Sequence, residues 1–244
     1  MSDVLYAAWQ DPKSRSWKTF GRLIRRNNEF EFSFTKGASS LDSLPFDLFG
    51  MNPQSRFVSS ELLSLFRNKL PPRSRSDFAK MARWLNVNQD ETDFQLLRKF
   101  GLIPGTDSIL IYPEPEMENG CYSLEFFVHG IRHMSDSAIK ICSDLGDTTQ
   151  LFPMLDVQND FDANAIALRP KDSPCLIGYV PIFYSSDLRR LLGDPSVAMN
   201  AKIKIVRNNV DAPIQLRLLC RFTCPVPPDF VPLREASQQS VELT

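Results

Sequence analysis

The sequence contains few glycines and histidines, and no glycine cluster of the kind that holds a nucleotide. Its 244 residues include ten glycines, the nearest two being Gly101 and Gly105, so neither G-x-G nor a P-loop occurs. This excludes the Rossmann fingerprint and the kinase glycine loop. With only two histidines, the chain also offers little material for histidine-based catalysis or for zinc.

Strong charge and long apolar runs are also missing. The formal net charge is −1, far from the basic footprint of a general nucleic-acid binder. No run of about 18 apolar residues exists, and the N-terminus has no apolar signal region, so we expect a cytoplasmic protein without a membrane segment. The five cysteines are scattered and odd in number, which indicates buried side chains in a reducing compartment. We expect neither a metal nor a cofactor.

The first 115 residues predict a small α+β domain made of a β-hairpin and three helices. Strand-like runs flank the turn composition RRNNE at 25–29. Three helical patterns follow, and the polar stretch PEPEMENG predicts a linker. The helices are expected at 59–70, 74–85 and 91–101, and the linker at 113–120.

The region 120–225 is predicted to be mainly β, because six short strand candidates are separated by polar turns. One helical pattern, at 183–194, interrupts them. This spacing favours a small barrel or sandwich, and the whole chain is therefore assigned to the α+β class. The tail at 226–244 is expected to be loose.

Acids and amides are concentrated in the segment DVQNDFDANA at 156–165. Asp160 and Asp162 match the opening of a calcium-binding EF-hand loop, but the later glycine and glutamate positions hold Ala165 and Lys171. The alternative is a polar turn whose Asp and Asn side chains bond their own backbone. The pattern favours the turn over calcium.

A basic cluster lies in the helical region of the first domain. It is either a solvated face or a contact surface for nucleic acid or an acidic partner. Its members are Arg67, Lys69, Arg73, Arg75, Lys80 and Arg83.

Three segments in the second half together resemble a HIRAN domain, the module of HLTF-type fork-remodelling helicases and of many free-standing bacterial proteins. They are FFVHGIRH (126–133), NDFDANAIAL (159–168) and IGYVP (177–181). The resemblance implies an OB-like six-stranded β-barrel with short helices over residues 120–225. It also implies binding of single-stranded DNA at a free 3′ end.

The same resemblance assigns roles to individual residues. It implies that Asp162 accepts a hydrogen bond from the terminal 3′-hydroxyl, that Phe161 stacks on the terminal base, and that Arg132 pairs with a phosphate. Asn159 helps to shape the pocket. His133 and Tyr179 occupy two further positions of the family's site.

Several positions depart from the family's pattern. His133 replaces an aromatic residue, Phe161 a tyrosine and Asp160 a proline. Tyr179 stands at a polar or basic position, and Ile182 at a basic one. Because each lost cation removes a phosphate contact, we expect weaker DNA binding than the family shows.

The first half is similar to the N-terminal subdomain of HipA-like kinases. The resemblance lies in FGRLI (20–24), FEFSFTKGAS (30–39), LPFDLFGMN (44–52) and the helical segment at 59–75. It implies that residues 1–115 dock a protein partner. The kinase core itself is missing, so we expect no enzyme.

These patterns predict a non-enzymatic bacterial adaptor. Its barrel recognises a 3′ end of single-stranded DNA, and its first domain docks a protein such as a HipA-like kinase or a phage-defence effector. The alternative is an antitoxin-like regulator of a HipA-like kinase, which acts by protein contact without binding DNA.

Overall fold

The computed structural model describes residues 3–40, 52, 54–103 and 108–241, and the chain divides into two compact units. The N-terminal unit comprises residues 1–83, 87–114 and 234–244, and the C-terminal unit comprises residues 84–86 and 115–233. Each contains both sheet and helix, so the α+β class is confirmed. In the described ranges, no helix has the length and apolar character needed to cross a membrane.

The N-terminal unit is built on a five-stranded antiparallel sheet with the strand order β4-β3-β2-β1-β5. The predicted hairpin is β2 and β3, the strand-like runs VLYAAW (4–9) and SILIYP (108–113) form β1 and β5, and β4 is a further strand. The strands are β1 (Val4–Gln10), β2 (Trp17–Arg26), β3 (Glu29–Phe34), β4 (Arg56–Ser59) and β5 (Ile109–Pro113). The helices are α1 (Ser64–Arg67), α2 (Phe78–Trp84) and α3 (Asp93–Phe100).

Packing and capping explain these elements. Alternate residues of β2 and β3, such as Leu23 and Phe32, are buried against Phe66 of α1. A capping box begins α3, in which the Thr92 side chain accepts from the backbone of Gln95. The first helix is shorter than predicted: Ser59 belongs to β4, where it pairs with Phe30, and residues 60–63 and 68–70 are not helical.

The C-terminal unit contains a seven-stranded sheet with the order β10-β9-β8-β11-β12-β7-β6, curled into a half-barrel. This corrects the six-stranded barrel. The strands are β6 (Glu116–Glu118), β7 (Cys121–Phe127), β8 (Gln150–Leu155), β9 (Ile166–Pro170), β10 (Gly178–Tyr179), β11 (Lys202–Asn208) and β12 (Leu218–Pro225). The helices are α4 (Asp136–Asp144), α5 (Ile182–Leu192) and α6 (Pro195–Ala198).

Two features account for the difference from a closed six-stranded barrel. The extra strand β6 is a mostly exposed edge strand within the stretch predicted as a linker, so it lacks the apolar alternation that marks a strand. The two sides of the curled sheet meet at an isolated β-bridge between His129 and Tyr179.

The C-terminal tail is packed rather than loose over its described length. The buried carboxylate of Asp187 on α5 accepts the backbone N–H of Leu233 at 2.9 Å, which fixes the first part of the tail to the C-terminal unit. Within the N-terminal unit, Gln239 accepts from the N–H of Lys36 at 2.8 Å. Residues 242–244 and the motif LPFDLFGMN, apart from its last residue, lie outside the described residues.

Candidate nucleic-acid interface

The loop at 156–165 joins β8 to β9 and is folded by its own polar side chains. The side-chain oxygen of Asn159 accepts from the backbone N–H groups of Phe161 and Asp162, at 3.0 and 3.1 Å. Asp162 Oδ1 in turn accepts from the N–H of Asn164 at 2.8 Å. These are Asx-type turns, so the turn interpretation is confirmed. Across the described residues, no group of three or more potential metal ligands occurs.

Phe161 and Asp162 present open surfaces in this loop. The Phe161 side chain is 90% exposed, so a flat ring can stack on it. Asp162 is half-buried, and one of its carboxylate oxygens is occupied by Asn164. Its other oxygen, Oδ2, receives no hydrogen bond from the residues that the structure describes. An ionised carboxylate only accepts hydrogen bonds, so Oδ2 suits a hydroxyl donor.

Asp156, which is not among the predicted nucleic-acid-binding residues, fixes the start of the loop. Its Oδ2 accepts the hydroxyl of Tyr179 at 3.0 Å and the side-chain amide of Asn159 at 3.2 Å. The hydrogen bond from Asn159, followed by that from Tyr179, lowers the pKa of Asp156. Burial, followed by the hydrogen bond to Asp156, raises the pKa of Tyr179. Tyr179 therefore positions the loop.

Two glycines allow the backbone at Tyr179 to pair with the chain that follows β7. His129 and Tyr179 exchange two backbone hydrogen bonds, at 2.8 and 2.9 Å. Gly178 has a φ of +144°, and a Cβ atom there would lie 2.5 Å from the carbonyl oxygen of His129. Gly130, with a φ of +77°, then leads the chain into a 3₁₀ helix. Close approach and positive φ explain both glycines.

Arg132 and His133 lie in this 3₁₀ helix, Ile131–His133, and both side chains are exposed. Arg132 Nε donates to His133 Nε2 at 2.9 Å. The bond joins two neighbouring side chains of the same turn. It orients the guanidinium and leaves the two terminal nitrogens of Arg132 to face a ligand.

The structure thus joins Asn159, Asp162 and Tyr179 in one network, with Phe161 on the same loop. Arg132 and His133 occupy a separate turn next to Tyr179, and no hydrogen bond or ion pair links that turn to the loop within the described ranges. Arg189 of α5, which the sequence does not mark, donates to the Ala163 carbonyl at 2.8 Å and anchors the loop. The loop carries three carboxylates, those of Asp156, Asp160 and Asp162, and in the described ranges the guanidinium group that bonds it is that of Arg189.

Much of the basic cluster is engaged within the N-terminal unit. Arg73 donates to two carbonyl oxygens and to Asp93, and Arg75 pairs with Asp77. These contacts tie Arg73 to the chain that leads into α3 and leave Arg75 in a local, exposed ion pair. The remaining predicted members are Arg67, which donates to Glu61, Lys69, which donates to the Ile109 carbonyl, and Lys80 and Arg83 on α2.

Residues 121–226 match the family model of the HIRAN domain. The C-terminal half contains a HIRAN domain. This family is known as a DNA-end-binding module and is typically non-catalytic. The resemblance stated for this half is therefore confirmed, whereas residues 1–120 lie outside the match and nothing supports their resemblance to HipA-like kinases.

Two solved structures are similar to parts of the chain, each with 14% sequence identity and a TM-score of 0.33. The crystal structure of the HIRAN domain of human HLTF overlaps 44% of this chain and 80% of its own. A protein from Lactobacillus plantarum overlaps 43% of this chain and 97% of its own. No curated protein matches the chain.

Proposed function

We propose that the HIRAN domain of this protein binds a 3′ end of single-stranded DNA, and that Asp162 reads the terminal hydroxyl. The supporting observation is the state of its carboxylate. The backbone N–H of Asn164 occupies one oxygen, the other receives no hydrogen bond from the described residues, and the preceding residue, Phe161, is exposed. A 3′-hydroxyl donates to that oxygen, an internal nucleotide has no such group, and a 3′-phosphate is repelled.

The other predicted residues contact the DNA or position the loop. Phe161 stacks on the terminal base, and Arg132 contacts the phosphate that precedes it. Asn159 and Tyr179 hold the loop in shape, and His133 orients Arg132. With so few cations, the domain binds mainly through the base and the hydroxyl, so its affinity depends weakly on salt.

The test is a competition experiment with the full chain, in which unlabelled oligonucleotides ending in a 3′-hydroxyl or a 3′-phosphate displace a labelled probe. Fluorescence anisotropy monitors the displacement. We expect the hydroxyl end to compete at least about tenfold better, as for a hydrogen bond to a charged group. Asp162→Asn should abolish most of this preference. Asp160→Asn makes the same charge change two residues away and should retain it. If oligonucleotides with the two ends compete equally for the wild type, the proposal is wrong.

The N-terminal unit is proposed to dock a protein partner, such as a HipA-like kinase or a defence effector. A second candidate function follows from the charge of the site. The excess of carboxylates at 156–165 disfavours phosphates and favours an antitoxin-like regulator that acts by protein contact alone. This candidate is supported if the protein binds no DNA at any salt concentration and co-purifies with a kinase in a stoichiometric ratio.

A further inference from the structure

A groove lies on the outer face of the hairpin formed by β8 and β9, with a cavity volume of about 470 Å³. It contains two cations, Arg169 and Lys171, against one carboxylate, Asp172. Lys171 is exposed, and no ion pair engages it among the described residues. The lining is completed by Met154, Ser173 and Pro174.

The groove and the residue that anchors the Asp162 loop lie on one face of the sheet, with the buried Ala167 between them. Met154 of β8 pairs with Ala167 of β9, which pairs with Tyr179 of β10, and cross-strand partners lie on the same face of a sheet. Tyr179 reaches the loop through its bond to Asp156. One pair further along, Phe152 faces Arg169 on that same side. The face therefore runs from the loop to the groove.

Arg169 is held against the Phe152 ring by several contacts. Its guanidinium carbon lies 5.1 Å from the centre of the Phe152 ring, and its Nη1 donates to the carbonyl oxygens of Pro170, Lys171 and Ser173. A guanidinium fixed in this way offers a rigid plane. Nucleic-acid bases stack on such planes as they do on aromatic rings.

We propose that the nucleotides preceding the 3′ terminus lie along this face, with a base on the Arg169 plane and a phosphate at Lys171. This inference rests on the proposed function, which places the terminus at Asp162. Asp156 lies four positions after Phe152, a distance of about 13 Å along an extended chain. We call this stretch of the face, from Asp156 to Phe152, the track. Stacked nucleotides repeat about every 3.4 Å, so the track accommodates at most about four nucleotides.

The experiment compares short and long competitors with the full chain. Unlabelled oligothymidylates of two and of eight nucleotides, each ending in either a 3′-hydroxyl or a 3′-phosphate, compete with a fluorescent eight-nucleotide probe. For the wild type we expect the longer hydroxyl-ended strand to bind at least about fivefold tighter than the dinucleotide, as for one stacked base. Lys171→Gln should weaken the long strand about threefold to tenfold and lower its salt slope by about 0.7.

A further variant distinguishes the contribution of the planar Arg169 guanidinium from that of its positive charge. Arg169→Lys keeps the cation but removes the plane, and should weaken the long strand about fivefold or more. Both variants should leave the dinucleotide unchanged within about twofold. Lys140→Gln, at an exposed lysine of α4 outside the groove, is the control and should bind both lengths like the wild type. Thermal unfolding checks that each variant is folded.

The outcomes distinguish the two proposals. The proposed track is contradicted if the wild type binds both lengths equally. It is also contradicted if Lys171→Gln and Arg169→Lys bind both lengths as tightly as the wild type does. An effect of these variants on the long strand, with no preference for a hydroxyl over a phosphate end, retains the track and overturns end recognition. Absence of binding to every oligonucleotide overturns both.

Discussion

Tyr179 donates its hydroxyl to Asp156 Oδ2 at 3.0 Å, so a residue of β10 fixes the start of the loop that carries Asp162. The bond converts a polar ten-residue loop into a positioned one. Because Asn159 donates to the same oxygen, Asp156 also connects the HIRAN segments NDFDANAIAL and IGYVP. Recognition at Asp162 should therefore depend on a side chain that does not contact the hydroxyl.

Tyr179→Phe should weaken binding of a 3′-hydroxyl oligonucleotide about threefold to tenfold, the equivalent of one hydrogen bond. Fluorescence anisotropy measures the loss. Asp156→Ala should have a similar effect, and the double variant should lose little more than either single variant, because both remove one interaction. Fully additive losses would show that the two residues act separately.

The buried network at Asp187 predicts a dependence of stability on pH. Burial raises the pKa of Asp187 above its ordinary value, so the folded state binds its proton more tightly than the unfolded state does. Its contribution to stability is complete below about pH 4 and declines as the pH rises through the folded-state pKa. The stability of the wild type relative to Asp187→Asn should therefore shrink between pH 4 and pH 7.

Urea unfolding of both proteins at these two pH values measures that difference. The substitution keeps the size of the side chain, so the comparison reports ionisation rather than a cavity. A difference that grows toward pH 7 contradicts the assigned direction. The hydrogen bonds from Leu233 and Arg190 to Asp187 would then outweigh its burial.

Gly178→Ala should destabilise the protein by about 3 kcal/mol or more, because the new Cβ atom meets the His129 carbonyl and the residue keeps a positive φ. Gly120→Ala is the matched control. Gly120 has a φ of +70° but no neighbour within 4 Å of a Cβ atom, so its substitution should cost about 1 kcal/mol. Equal losses in urea unfolding would mean that the close approach at Gly178 is unimportant.

Arg73→Ala should destabilise the N-terminal unit by about 1 kcal/mol, because Arg73 bonds two carbonyl oxygens as well as Asp93. Arg75, whose described partner is the exposed Asp77, provides the comparison. Arg75→Ala should leave the unfolding midpoint unchanged, as for most exposed ion pairs. Tryptophan fluorescence during urea unfolding of the full chain distinguishes the two variants.

Local patterns are sufficient to predict the turn at 156–165 and the hairpin of β2 and β3. In the turn, Asn159 and Asp162 bond atoms two or three residues away, so composition alone indicates the structure. The hairpin is likewise local, with Arg26 paired with Glu29.

Long-range contacts account for what the sequence could not predict. Asp156 belongs to the site because Tyr179, 23 residues later, donates to it. The tail is ordered because Asp187 accepts the N–H of Leu233, 46 residues away. Neither contact has a local signature. The edge strand β6 is mostly exposed, so its sequence resembles a linker.

The most direct test of the central claim removes the hydroxyl without adding charge. Oligonucleotides that end in a 3′-hydroxyl or in a 3′-deoxy nucleotide differ by the single oxygen that Asp162 is proposed to hold. We expect the wild type to bind the deoxy end about tenfold more weakly, and Asp162→Asn to bind the two ends within about twofold of each other. Equal affinity of the wild type for both ends would contradict the account.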